Sequence, residues 1–174
     1  MLHVKAIALT IVMGIAYQVS AEPMALPSTS ASTVFCVNVV EQADVVVPTS
    51  ISLSTASPAA EVVSDPQMLT IRAMVLADGR RLRVSVRPET SSFVAPAAGR
   101  TWQADDLSYV VGSGSAWSGA SGRMQPGRWA EVLTTTPNPG LPIMAPVVFK
   151  LSGITGEVPV GPHSLVLVWK IESP

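Results

Sequence analysis

Surface chemistry needs a nucleophile, a base and a group that orients them. This chain offers little of that kind. It carries two histidines, His3 and His163, and only His163 lies outside the apolar N-terminal stretch. His163 follows Gly161-Pro162 at a strand start, the position of a turn or edge histidine rather than a general base. Neither a Gly-x-Ser-x-Gly elbow nor a Gly-x-x-x-x-Gly-Lys phosphate loop occurs; Gly112-Ser113-Gly114-Ser115 has the composition without the context. Asp105-Asp106 is the one adjacent acidic pair. Neighbouring carboxylates on a strand point to opposite faces, which argues against a catalytic pair. With Asp65 or Glu131 they lack the alternating acidic spacing of a calcium loop. Cys36 is the single cysteine, so no disulfide within the chain and no cysteine–histidine metal set can form. The residues predict no catalytic site, no cofactor and no metal, and the chain reads as a non-enzyme.

Two clusters suit binding better than catalysis. Trp102, Tyr109 and Trp117, with Gln103 and Asp106 nearby, combine planar aromatics with polar groups, the chemistry that stacks on sugar rings. In the plainer reading the loop tryptophans cap the ends of the fold, and Trp129 and Trp169 are core. Arg72, Arg81, Arg83 and Arg87 would share one face of a hairpin and could read acidic polysaccharide or lipid head groups. The preferred reading is a solvated outer face that discourages edge-to-edge pairing. A formal net charge of −1 gives no electrostatic reason to expect nucleic acid.

The elements that must position these residues are short strands. The chain has 174 residues, 13% of them charged, with 15 prolines and 12 glycines spread along it. That length suits one domain with a proper core. Short β-branched runs punctuated by Pro, Gly, Ser and Thr read as an all-β sandwich or barrel. At the N-terminus, a weakly basic start (His3, Lys5), an apolar run over 6–16 and the small residues Val19-Ser20-Ala21 form a secretory signal peptide by pattern. The run is too short to span about 30 Å of hydrocarbon. Residues 1–21 are therefore expected to be removed, leaving no stable membrane span, a flexible leader over 22–32 and a sandwich over 33–174. Cys36 lies in the apolar run Val34–Val37, which favours a buried thiol over an intermolecular link.

The most legible stretch is 68–87. Asp78-Gly79 between two β-type runs predicts a type I′ hairpin. Its register pairs Ala77 with Arg80, Val75 with Leu82, Ala73 with Val84 and Ile71 with Val86. Further strands are expected at 33–40, 42–47, 51–53, 62–63, 107–111, 129–135 and 147–151. The last is 164–172, with Leu165, Leu167, Trp169 and Ile171 on one face. The stretch 112–122 (GSGSAWSGASG) reads as low-complexity loop. The five prolines and glycines between 136 and 146 exclude regular structure there.

The ending Gly161-Pro162-His163-Ser164-Leu165-Val166-Leu167-Val168-Trp169 resembles the closing Gly-x-Tyr strand of the spore coat U and pilin-like group of small exported bacterial proteins. The Asp78-Gly79 stretch occupies the place of that group's central strands. The resemblance covers 33–172 by pattern. It departs in having Cys36 alone where the group carries cysteine pairs, and His163 where it has tyrosine. It implies a single antiparallel β-sandwich, immunoglobulin-like or pilin-like, of about eight strands. It also implies an N-terminal extension that adds a strand to the next subunit. The expected function is an exported structural or adhesive cell-surface protein, secreted, periplasmic or surface-held. It would associate with itself or with a surface or secretion partner through edge strands. The strand-exchange candidates are Val34, Cys36, Asn38 and Val40 on the donated strand, and Leu165, Leu167, Trp169 and Ile171 beside the groove. The alternative is a carbohydrate-binding module that holds a glycan at Trp102, Tyr109 and Trp117.

Overall fold

The computed structural model describes residues 40–174 and, of the preceding chain, only the backbones of β1 (Leu2–His3), β2 (Ile11–Gly14) and β3 (Val34–Val37). The expected signal peptide and leader otherwise lie outside the described residues, as does Asn38. From residue 40 onward the chain forms ten strands and a single 3-10 turn (Ala104–Asp106). The strands are β4 (Gln42–Val47), β5 (Val62–Val63), β6 (Gln67–Val75), β7 (Arg83–Pro88), β8 (Leu107–Val111), β9 (Trp117–Gly119), β10 (Ser121–Arg123), β11 (Ala130–Thr135), β12 (Ile143–Leu151) and β13 (Leu167–Glu172).

They make two antiparallel sheets packed face to face. The first runs β1-β4-β6-β12-β8-β10, with β5 beside the far end of β12; the second runs β13-β7-β11-β9. β12 shows why the layers form. Ile143, Ala145, Val147, Phe149 and Leu151 are buried while the residues between them are not. Strict alternation gives one apolar face, which is covered only by a second sheet. Val84 and Val86 of β7 and Val132 and Leu133 of β11 supply that cover. Each fully buried aliphatic side chain contributes roughly 1.5–3 kcal/mol.

The turn at Asp78-Gly79 is present, but the hairpin is not. The Arg80 N–H donates to the Ala77 carbonyl at 3.1 Å. Gly79 has φ 75°, whereas Asp78 is not among the residues of positive φ. Positive φ at the second central residue alone is the type II requirement, and such turns splay the flanking strands instead of matching their twist. β6 and β7 therefore part into different sheets. The expected register is replaced: Ile71 faces Ile143 and Val45, and Val86 faces Ala130 and Trp169. The alternation is right for each strand, because the two apolar faces meet across the core rather than side by side. Arg72 consequently lies on one sheet, and Arg83 and Arg87 on the other.

Regular structure also extends into two stretches expected to be irregular. β12 runs through Pro146. The Pro146 carbonyl accepts from Gly112 N–H at 3.1 Å, just beyond the last β12–β8 pair, Val147–Val111. The missing proline N–H thus falls where the ladder has ended. The glycine-serine stretch 112–122 contains β9 and part of β10. A side chain at Gly119 would sit 2.4 Å from the Val111 carbonyl oxygen, and one at Gly114 would sit 2.5 Å from the Trp117 ring. Those glycines permit close packing; they do not mark a loose loop. The 51–53 run, by contrast, forms no ladder.

Candidate functional site

β13 begins after Gly161-Pro162 and is anchored at its start by a two-way bridge. Val94 N–H donates to Ser164 O at 2.8 Å, and Ser164 N–H donates to Val94 O at 3.0 Å. The strand then pairs along its length with β7, from Leu167–Pro88 to Glu172–Arg83. It is the edge of its sheet, and its other side has no strand among the described residues. Glu89 N–H bonds Val166 O at 2.9 Å. In an antiparallel ladder bonded and non-bonded pairs alternate. The amides of Val168, Lys170 and Glu172 therefore point toward β7, and those of Leu167, Trp169 and Ile171 point away, to the open edge.

The side chains of that second set face inward. Leu165, Leu167, Trp169 and Ile171 pack against the core, yet all four remain only half buried. Across from them the 48–56 segment runs alongside the core without ladder hydrogen bonds. Ile51 and Leu53 are half buried and alternate with the exposed Ser50, Ser52 and Ser54. This is strand patterning without a strand partner, and it explains why 51–53 reads as a strand and does not become one. Between these two unpaired edges lies a cleft of about 1030 Å³, floored by Leu107, Phe149 and Leu151. The sandwich is thus open along one seam, with apolar side chains inside and free backbone groups on its rim.

Both ends of the seam are pinned. At one end Arg80 Nη1 donates to Ser173 O at 3.1 Å and meets Glu41 Oε2 at 3.3 Å, while Glu41 Oε1 accepts from Ala77 N–H at 2.7 Å. The chain entering β4 therefore starts beside the last residues of β13. At the other end His163 lies edge-on to Trp102, its Nδ1 2.8 Å from Thr101 Oγ1 and its Nε2 2.9 Å from Pro159 O. Both ring nitrogens are occupied structurally, which makes His163 a pin and gives it no substrate-facing atom.

Of the strand-exchange candidates, Leu165, Leu167, Trp169 and Ile171 lie together along the seam. Val40 is exposed. Val34 and Cys36 fall on β3, whose backbone pairs with β2, and their side chains lie outside the described residues. The glycan candidates are not brought together on a surface. Trp102 is 6% exposed and donates Nε1–H to Ser152 O at 2.9 Å. Tyr109 is 4% exposed and donates to Glu131 O at 2.8 Å. Burial, with the Glu131 charge second, pushes the Tyr109 phenol above its usual value. Trp117 donates to Gly112 O at 2.8 Å and packs over Gly114. These rings are bonded into the fold, so they offer no sugar platform. Of the two tryptophans assigned to the core, Trp169 packs half buried against it and Trp129 is exposed, at 40%. Only the onset of β11 one residue later carries a hint of this.

Among the described residues no group of acidic, histidine and cysteine side chains could hold a metal, and no helix is long and apolar enough to cross a membrane. No family model matches the chain, and no curated protein matches it. Among solved structures the chain is similar to one in a structure of a chaperone-usher pilus. The two are 18% identical with a TM-score of 0.42, over 86% of this chain and 99% of the other.

Proposed function

We propose that this chain is an exported structural or adhesive surface subunit that completes its sandwich with a β-strand from another copy, without catalysis. One observation carries the reading: Leu167, Trp169 and Ile171 present both their half-covered side chains and their outward amides to the same open seam. An inserted strand satisfies both at once, through main-chain hydrogen bonds and alternate side chains in pockets. An unprotected edge of this kind is a liability unless something occupies it.

The donated strand in this reading is 33–40. Cleavage after Ala21 would remove β2, the partner of β3, and β1, which lies along Val46–Val47 of β4. Processing would thus free the donor strand and widen the acceptor edge in one step. Folding back into the molecule's own seam is less suited. Residue 41 starts beside Ser173, so a returning 33–40 strand would run parallel to β13, and parallel pairing is slightly less stable per residue.

Light scattering on residues 22–174, beside a chain lacking 22–40, tests the proposal. It expects large, concentration-dependent species from the first and a soluble monomer from the second. A stable monomer from the longer chain, together with unfolding of the shorter one, would place the strand in its own sheet and end the proposal.

A further inference from the structure

The outer face of the second sheet carries an independent feature, far simpler than the seam. Its ladder sets three rows of outward side chains. In one row Arg87 faces Val168, with the Trp129 ring beside it just before β11; the next crosses Glu131, Ser85 and Lys170; the third holds Arg83 and Glu172. Arg83 is matched by two carboxylates, Glu131 at 3.1 Å and Glu172 at 3.8 Å, and Lys170 is matched by Glu172. Arg87 has no carboxylate partner among the described residues. Its Nε is buried without a hydrogen-bond partner, and its guanidinium carbon sits 4.8 Å from the centroid of the exposed Trp129 ring. The Lys170 ammonium lies 5.8 Å from the same ring.

A guanidinium held on an indole gains cation–π energy but is partly stripped of water. Left without an anion, such a group is costly. A solvated face that merely keeps edges apart needs none of this, since its cations would extend into water. The geometry points to a binding site for an anionic saccharide, a sugar ring bearing a carboxylate or sulfate. The acidic group would take the free donors of Arg87, with Lys170 adding charge, and the apolar face of the ring would lie on the exposed part of Trp129. Arg87 offers planar forked donors that match either oxyanion. The site stands apart from the seam and does not depend on strand exchange.

The test uses the full processed chain, residues 22–174, and follows tryptophan fluorescence during titration with oligogalacturonate, sulfated heparin oligosaccharide or neutral dextran. Saturable binding to one or both acidic probes and none to dextran is expected; the two acidic arms separate carboxylate from sulfate recognition. Arg87→Gln, and Trp129→Leu read by titration calorimetry because it removes the reporting ring, should each weaken binding about tenfold or more, with circular dichroism unchanged. Arg87→Lys should keep the charge and recover only part of the affinity, because the fork is gone. Arg72→Gln, on the other sheet, should have little effect. Absence of saturable binding to both acidic probes overturns the inference. So does an equal loss from Arg72→Gln, which would mean diffuse charge attraction.

Discussion

The two long seams of the sandwich are built in opposite ways. On one, a single stretch serves both sheets. β9 pairs with β11 in the second sheet and β10 pairs with β8 in the first, and between them Ala120 donates to Val132 O and accepts from Val111 N–H, each at 3.0 Å. A strand that switches sheets ties the two together and closes the corner between them. On the other seam, β13 and the 48–56 segment face each other across the cleft with nothing shared between them. Closure on one side costs sequence freedom, since Gly119 tolerates no side chain. Openness on the other leaves apolar surface half covered. Two seams of one sandwich therefore separate a part that is finished within the chain from a part that is finished by something added.

The largest effect is expected at the closed seam. Gly119→Val would drive a side chain into the Val111 and Gly112 carbonyls and should cost about 3 kcal/mol in urea unfolding, whatever the state of assembly. Trp169→Ala, at the open seam, should cost about 2 kcal/mol in a chain lacking 22–40, less than the roughly 3–5 kcal/mol of a fully buried tryptophan. The same substitution should also abolish assembly of the longer chain in light scattering. Equal costs for Trp169→Ala in both forms would erase the distinction between the seams.

Smaller effects are expected at single polar contacts. Tyr109→Phe loses one bond to Glu131 O and should cost about 1 kcal/mol. Because burial and Glu131 raise the phenol, the neutral form is favoured in the fold. That contribution is whole below the unfolded value of about 10 and is lost as pH rises through the folded one. Unfolding free energy should therefore fall above about pH 10 in the wild type and less steeply in Tyr109→Phe. Arg80→Ala unties Glu41 from Ser173 and should cost only about 0.5 kcal/mol, the pair being exposed. A much larger loss would mean that this pin, rather than an added strand, holds the seam.

Much of the fold is legible in local alternation. β8 and the inner faces of β12 and β13 follow from period-two patterning, whereas β4 is legible as an apolar run, with Val45, Val46 and Val47 all buried. Pairing is less legible. Asp78-Gly79 marks the turn, but whether the strands twist together or splay depends on the φ of Asp78, which the dipeptide does not decide. The 112–122 stretch hides two strands because glycine serves close backbone approach as well as loops. The aromatic assignments invert for a related reason. Trp102 and Tyr109 have polar neighbours in sequence, yet their polar atoms are satisfied by the carbonyls of Ser152 and Glu131, far along the chain. Trp129 lies just before β11 and is exposed. The open seam is legible in retrospect at 51–53, where strand patterning exists without a partner.

The central claim is tested most directly by amide hydrogen exchange at Leu167, Trp169 and Ile171, measured in the chain lacking 22–40, alone and with a peptide of residues 33–40. Alone, these amides should exchange much faster than those of Val168, Lys170 and Glu172, which bond β7. With the peptide they should slow by about a hundredfold or more. Slow exchange without the peptide, or exchange that the peptide leaves unchanged, would contradict the account, because the edge would then be closed already or would not accept a strand.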